Sequence, residues 1–165
     1  MPTGNVTVSD GTQSCTGTVA AGSCTVTFTT PGTKTITATY AGNTNFAGSA
    51  SAPATAHTVN KADTTITITS DLPDPSLVGQ AVTINYNVTV NAPGSGIPSG
   101  TVIVSDGTQS CTGTVAAGSC SIIFTTPGIK TLTATYAGEE NYSGSISLGI
   151  QHTVITRIYL PLLFR

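Results

Sequence analysis

The chain has 165 residues, enough for one large domain or two small ones, with 7% charged residues, 38% hydrophobic ones and a formal net charge of −2. This balance argues against a disordered chain, which needs low hydrophobicity and high net charge, and five scattered basic residues cannot neutralise a row of phosphates, so no nucleic-acid partner is expected. The longest apolar run, Ile158 to Phe164, falls far short of the ~18 residues a membrane helix requires, so no membrane span is expected either.

The first element along the chain is one that returns. The run VSDGTQSCTGTVAAGSC, Val8 to Cys24, recurs letter for letter at Val104 to Cys120. The match extends outward from Pro2 and Pro98 to Gly48-Ser49 and Gly144-Ser145, with a looser echo in AHTV at Ala56–Val59 and QHTV at Gln151–Val154. A unit of about a hundred residues is domain-sized, not a solenoid repeat. Val26, Ile36 and Phe46 are exchanged for Ile122, Leu132 and Tyr142, and Thr7, Thr27 and Thr33 for Ile103, Ile123 and Ile129. Apolar character or the β-branch is kept each time, as one fold in both copies requires.

The first copy starts at Pro2 and has nothing to match the opening of the second, so the division expected is a partial domain over residues 1–60 and a complete one over 61–155. The partial domain is expected to lack its first two strands, half of one sheet, and to expose strand edges and an unsealed core face. In the complete copy, alternation and turn signals predict seven strands: Thr65–Thr69, Val82–Val90, Gly100–Val104, Gln109–Val115, Ser119–Thr125, Lys130–Tyr136 and Ile146–Val154. Turn segments such as Asp71-Leu-Pro-Asp-Pro, Asp106-Gly and Ala116-Ala-Gly separate them, and no window has helical periodicity. Every second residue of Val82-Thr-Ile-Asn-Tyr-Asn-Val-Thr-Val is apolar, which places one face in a core and the other in water. Short strands with turns every eight to twelve residues predict an all-β antiparallel sandwich. An apolar tail, residues 156–165, follows the repeat.

The opening Asp71-Leu-Pro-Asp-Pro-Ser-Leu-Val-Gly-Gln-Ala-Val-Thr, the central Pro98-Ser-Gly-Thr-Val-Ile-Val-Ser-Asp-Gly and the closing Lys130-Thr-Leu-Thr-Ala-Thr-Tyr-Ala-Gly-Glu-Glu-Asn-Tyr-Ser-Gly-Ser resemble bacterial Ig-like domains of the group 3 type. The resemblance implies an Ig-like sandwich in two tandem copies, serving as spacer, stalk or adhesive module, with no catalytic motif to carry over.

Cys15 and Cys24, with Cys111 and Cys120 at the same spacing, are the strongest constellation. An even count in repeated pairs predicts structural disulfides in an oxidising compartment, each pinning a hairpin that turns at Ala-Ala-Gly. Zinc is the weaker reading, because no His lies at ligand spacing, and redox catalysis weaker still without a C-x-x-C. His57 and His152 hold matching positions and are expected to face solvent or a seam between domains, since no nucleophile elbow accompanies them. Asp10 and Asp106 read as Asp-Gly turn residues; Asp63, Asp71 and Asp74, near the junction, leave a linker calcium as the alternative. Lys34 and Lys130 read as strand-end lysines, not as isopeptide donors. Tyr40, Tyr136, Phe46 and Tyr142 read as packed aromatics whose hydroxyls anchor turns, against the alternative of a sugar-binding platform.

The expected function is a non-enzymatic structural module of a bacterial extracellular or cell-surface protein, with no cofactor and no metal. The alternatives are an adhesive module that binds surface glycans or other proteins, and an accessory domain of a secreted hydrolase. The open face of the first copy leaves room for self-association. The chain begins Met-Pro-Thr-Gly-Asn, with neither a basic start nor an apolar run, so a fragment of a longer secreted protein is expected.

Overall fold

The computed structural model describes residues 1–157; residues 158–165, most of the apolar tail, lie outside the described residues. The chain divides into two compact units, Met1–Lys61 and the residues from Ala62 onward. The described residues form strands and turns without a helix.

The second unit is a two-layer sandwich. One layer contains β9 (Thr101–Ser105), β10 (Ser110–Thr114), β12 (Gly128–Tyr136), β14 (Ile150–Ile155) and the short β7 (Ser76–Leu77), in the order β10-β9-β12-β14-β7, with β13 (Ser145–Ile146) also on β12. The other contains β6 (Thr64–Leu72), β8 (Ala81–Val90) and β11 (Ser119–Ile123), in the order β11-β8-β6. Neighbours are antiparallel except β7 and β14, which run parallel with Ser76 opposite Val154. The alternation in β8 buries Val82, Ile84, Tyr86 and Val88, which meet Val102, Val104, Phe124 and Leu132 from the rest of the sandwich. Burying one such aliphatic side chain is worth about 1.5–3 kcal/mol, so these rows supply most of the drive for closing the layers.

Three details differ from the sequence-based reading. The final stretch is two strands, not one: β13 ends at Ile146 and β14 begins at Ile150. Between them the Ser147 amide donates to the Ala134 carbonyl, and the Ser147 hydroxyl accepts the Ala134 amide at 2.9 Å, so a side chain takes over from the ladder. The strand β7 was not expected, because two residues after a proline carry no periodicity. The segment joining β10 to β11 does not pair the two as a hairpin, since β10 pairs with β9 and β11 with β8. It passes from one layer to the other, turning on Gly118 at φ 64°, a left-handed conformation that glycine adopts without a Cβ clash.

The first unit has a single sheet. It contains β1 (Asn5–Ser9), β2 (Ser14–Thr18), β3 (Gly32–Tyr40) and β4 (Ser49–Ala50) in the order β2-β1-β3-β4, with β5 (Thr55–Val59) also on β3. More is lacking than half a sheet: no counterpart of the β11-β8-β6 layer forms within it. Ser119–Ile123 is a strand because it pairs with β8, whereas its counterpart from Ser23 to Thr27, with no β8 to pair with, is not a strand. Burial follows. Val102, Val104 and Leu132 are fully buried in the second unit, while Val6, Val8 and Ile36 are only half-buried in the first.

Candidate functional site

The only titratable cluster of the described residues with metal-ligand types gathers around His152. Alternation along β14 sets His152 and Val154 on the same inward face, and the imidazole, fully buried, stacks on Phe124 with ring centroids 5.0 Å apart. Its Nε2 lies 2.8 Å from Ser76 Oγ on β7. Its Nδ1 lies 2.9 Å from Asp71 Oδ2 at the end of β6 and 3.6 Å from Asp74 Oδ1. Asp74 Oδ1 also accepts the Thr153 amide at 2.9 Å. A carboxylate only accepts, so Nδ1 carries the hydrogen that faces Asp71, while Nε2 shares a hydrogen bond with the Ser76 hydroxyl. Both ring nitrogens are therefore satisfied by side chains of the same unit.

The solvent-facing role expected of His152 is thus corrected: the ring is a core residue that joins β14 to β7 and to the end of β6. His57, its counterpart, is exposed and stacks on Phe28 at 5.4 Å, and among the described residues its ring nitrogens have no hydrogen-bond partner. The difference has one cause: the first unit has no segment matching Asp71–Ser76.

The Ser76–His152–Asp71 chain has the connectivity of a hydrolytic relay, but Ser76 and His152 are both completely buried, so no acyl carbon can approach the hydroxyl. As ligands, Asp71, Asp74 and His152 place one atom each within 4.8 Å of one another, yet Nδ1 holds a proton against Asp71. A cation would have to displace that hydrogen bond. Asp63, grouped with Asp71 and Asp74 in the sequence reading, precedes β6 and sits at its opposite end.

The four cysteines form Cys15–Cys24 and Cys111–Cys120 disulfides, each with Cα atoms 5.8 Å apart. Cys111 lies on β10 and Cys120 on β11, so the second bond ties one layer to the other, which differs from the expected pinning of a paired hairpin. In the first unit the same bond holds an unpaired segment over the single sheet.

The turn aspartates behave alike. Asp10 Oδ1 accepts the Gln13 and Thr12 amides at 2.7 and 2.8 Å, and these bonds hold its carboxyl below the usual range. Asp106 accepts the matching pair from Gln109 and Thr108. Lys34 and Lys130 each donate to a threonine hydroxyl four residues back, Thr30 and Thr126.

Of the repeated aromatics, Tyr40 donates to the Thr3 carbonyl at 2.8 Å and Tyr142 to the Ser95 carbonyl at 3.0 Å. Tyr136 is corrected: its hydroxyl is buried without a partner among the described residues. Phe46 is corrected as well, being 43% exposed: Ala62, Ser95 and Gly96, which lie against Tyr142, have no counterparts within the first unit. Sequence reasoning missed Tyr86. This side chain lies against Gly113, where any Cβ would collide with its hydroxyl, and donates to the Thr114 carbonyl at 3.0 Å. The available signal was a lone tyrosine in an aliphatic row facing a Thr-Gly-Thr strand.

The sequence model of the bacterial Ig-like domain (group 3) matches residues 1–60 and again 63–155. Among solved structures, the chain is similar to the fibronectin(III)-like modules of Clostridium thermocellum CbhA at 14% identity and a TM-score of 0.42, covering 94% of this chain and 79% of that one. No curated protein matches.

Proposed function

The chain belongs to the bacterial Ig-like domain (group 3) family, and from that premise we propose that it is a non-catalytic spacer module of a bacterial extracellular or cell-surface protein. The observation that carries this reading is the fate of its chemistry-bearing side chains. Ser76, His152 and Asp71 are spent inside the sandwich, joining β7 and the end of β6, the first two strands of the second unit, to β14, its last. Parallel strands pulled from opposite ends slide along each other, so every bond between them is loaded at once. The β7–β14 pair takes such loading once β6 has parted from β8, and the Ser76–His152 bond adds a side-chain link to its short ladder. Two disulfides fit an oxidising compartment outside the cell.

Pulling the chain by its ends tests the reading. A spacer unfolds residues 62–155 in one cooperative step of roughly 300 Å, at 3.3–3.6 Å per residue, and reduction of the Cys111–Cys120 bond lengthens that step by roughly 30 Å. A gradual extension without a force peak overturns it.

A second reading, adhesion to a protein, draws on one surface feature. Ile103 and Ile146 flank Thr135 in a single row across the outer face of the larger layer and are 47% and 71% exposed. The first unit has Thr7, Thr39 and Ala50 at those places. Ile103→Thr with Ile146→Ala would abolish an adhesive function and leave a spacer intact. Binding of cell-surface material that survives both changes counts against this face.

A further inference from the structure

Three Asn-x-Ser/Thr triplets occur in the chain: Asn5-Val-Thr7, Asn87-Val-Thr89 and Asn141-Tyr-Ser143. This pattern is the acceptor of N-glycosylation, a surface modification of exported proteins. An amide nitrogen is a poor nucleophile, and the hydroxyl two residues on gives the transferase a handle to orient it. In a Thr-rich chain such triplets also arise by chance, so the sequence does not choose among them. The structure does.

Asn5 and Asn87 lie in ladders, opposite Thr18 on β2 and Thr67 on β6. Their hydroxyl partners are engaged, Thr7 with the Thr16 hydroxyl and Thr89 with the Thr65 carbonyl, each at 3.4 Å. Asn141 instead lies exposed in the segment between β12 and β13. Among the described residues neither its side-chain amide nor the Ser143 hydroxyl has a hydrogen-bond partner. Main-chain bonds hold the segment down: the Ala62 amide donates to the Asn141 carbonyl and the Ser143 amide to the Ala62 carbonyl, each at 2.9 Å. Opening it breaks these bonds and lifts Tyr142, whereas freeing Asn87 parts β8 from β6, so the segment opens at lower cost.

Two more features single out this triplet. Glu139, two residues before Asn141, falls on the same side of an extended acceptor and offers a carboxylate to a cationic groove, where Asn5 and Asn87 have Thr3 and Asn85. In the closed segment that carboxylate accepts the Ser99 amide and hydroxyl, and opening releases it. The counterpart in the first unit, Asn45-Phe46-Ala47, has the asparagine without the hydroxyl.

We propose that Asn141 is an N-glycosylation acceptor, served by an oligosaccharyltransferase that uses a polyprenyl-diphosphate-linked oligosaccharide. Asn141 Nδ2 attacks the anomeric carbon of the first sugar. A C–N bond forms as the bond from that carbon to the diphosphate oxygen breaks, the lipid diphosphate leaves with the electron pair, and the proton lost from Nδ2 passes through the enzyme to water. The glycan then stands beside the loop that holds Ser95 and Gly96 against Tyr142, where Ile97 is 90% exposed, and covers that apolar side chain with hydrophilic bulk. Only the chain's encounter with such an enzyme rests on the extracellular reading. Transfer between purified components does not, so the two fail separately.

The folded, oxidised chain is incubated with a purified bacterial oligosaccharyltransferase and its lipid-linked oligosaccharide, and the product is read by intact mass and peptide mapping. Expected is a mass gain of one glycan, carried by Asn141, kept in Ser143→Thr and lost in Asn141→Gln and Ser143→Ala. Ser143 bonds only through its main-chain atoms, so Ser143→Ala should keep the circular dichroism spectrum and melting midpoint of the parent, and its loss of transfer then reports the hydroxyl and not the fold. No transfer to the chain, transfer to Asn5 or Asn87 in preference, or transfer that survives Ser143→Ala overturns the proposal.

Discussion

Ser76 Oγ and His152 Nε2 meet at 2.8 Å inside the sandwich, and this contact is the only side-chain hydrogen bond described between β7 and β14. Ser76→Ala leaves a buried ring nitrogen without its hydrogen-bond partner, which costs about 1–3 kcal/mol. Asp71→Ala strands the opposite N–H by a similar amount. Because both partners act on one ring, the two losses should not add, and a double-mutant cycle followed by chemical denaturation and circular dichroism measures the coupling. Independent, additive losses would show that the ring is not held as one unit.

Tyr86 and Tyr136 make opposite predictions for the same substitution. The Tyr86 hydroxyl has two carbonyl partners, so Tyr86→Phe should cost about 1–2 kcal/mol. The Tyr136 hydroxyl is buried with none among the described residues, so Tyr136→Phe should be neutral or stabilising by up to about 1 kcal/mol. Denaturation midpoints of the two variants rank them directly; a larger loss for Tyr136 would reveal a partner for its hydroxyl.

The same pair sets the alkaline limit of stability. Desolvation raises both phenols above their ordinary value, helped at Tyr136 by the charge of Glu139. A raised folded-state pKa means that the unfolded chain releases its proton first. The contribution is therefore complete below about pH 10 and is lost as pH climbs through the folded-state values. Stability should be flat from pH 8 to about 10 and fall beyond it, with a shallower fall in the Tyr86→Phe, Tyr136→Phe double variant. An unchanged slope in that variant would move the cause elsewhere.

Breaking the disulfides should separate the units. The Cys111–Cys120 loop is short, so its loss costs the second unit at most about 3 kcal/mol, and β11 stays paired with β8. The segment from Ser23 to Thr27 has no ladder, and Cys24 is its covalent tether to β2. Under reduction, proteolysis by thermolysin should therefore accelerate far more between residues 19 and 30 than between 115 and 126. Equal acceleration would mean that the layer around β11 also depends on its disulfide.

Much of this was legible from the chain. The alternation Val82, Ile84, Tyr86, Val88 is the buried row of β8, and the letter-for-letter repeat carried the strands of one unit onto the other. What stayed illegible was contact between distant pieces. His152 alternates with Val154 and so had to share its inward face, but nothing local shows that Ser76 and Asp71 arrive to satisfy the ring. Likewise Ser23-Cys24 and Ser119-Cys120 are identical as letters and differ as structure, because a strand is a property of a pair. The absent partner, not the sequence of the segment, decides the outcome.

Amide hydrogen exchange on the 165-residue chain at high dilution, resolved to short peptides, tests that claim most directly. The account predicts slow exchange over Ser119–Ile123 and fast exchange over the equivalent residues 23–27, in one molecule under one set of conditions. Matching protection of both segments at high dilution would contradict it.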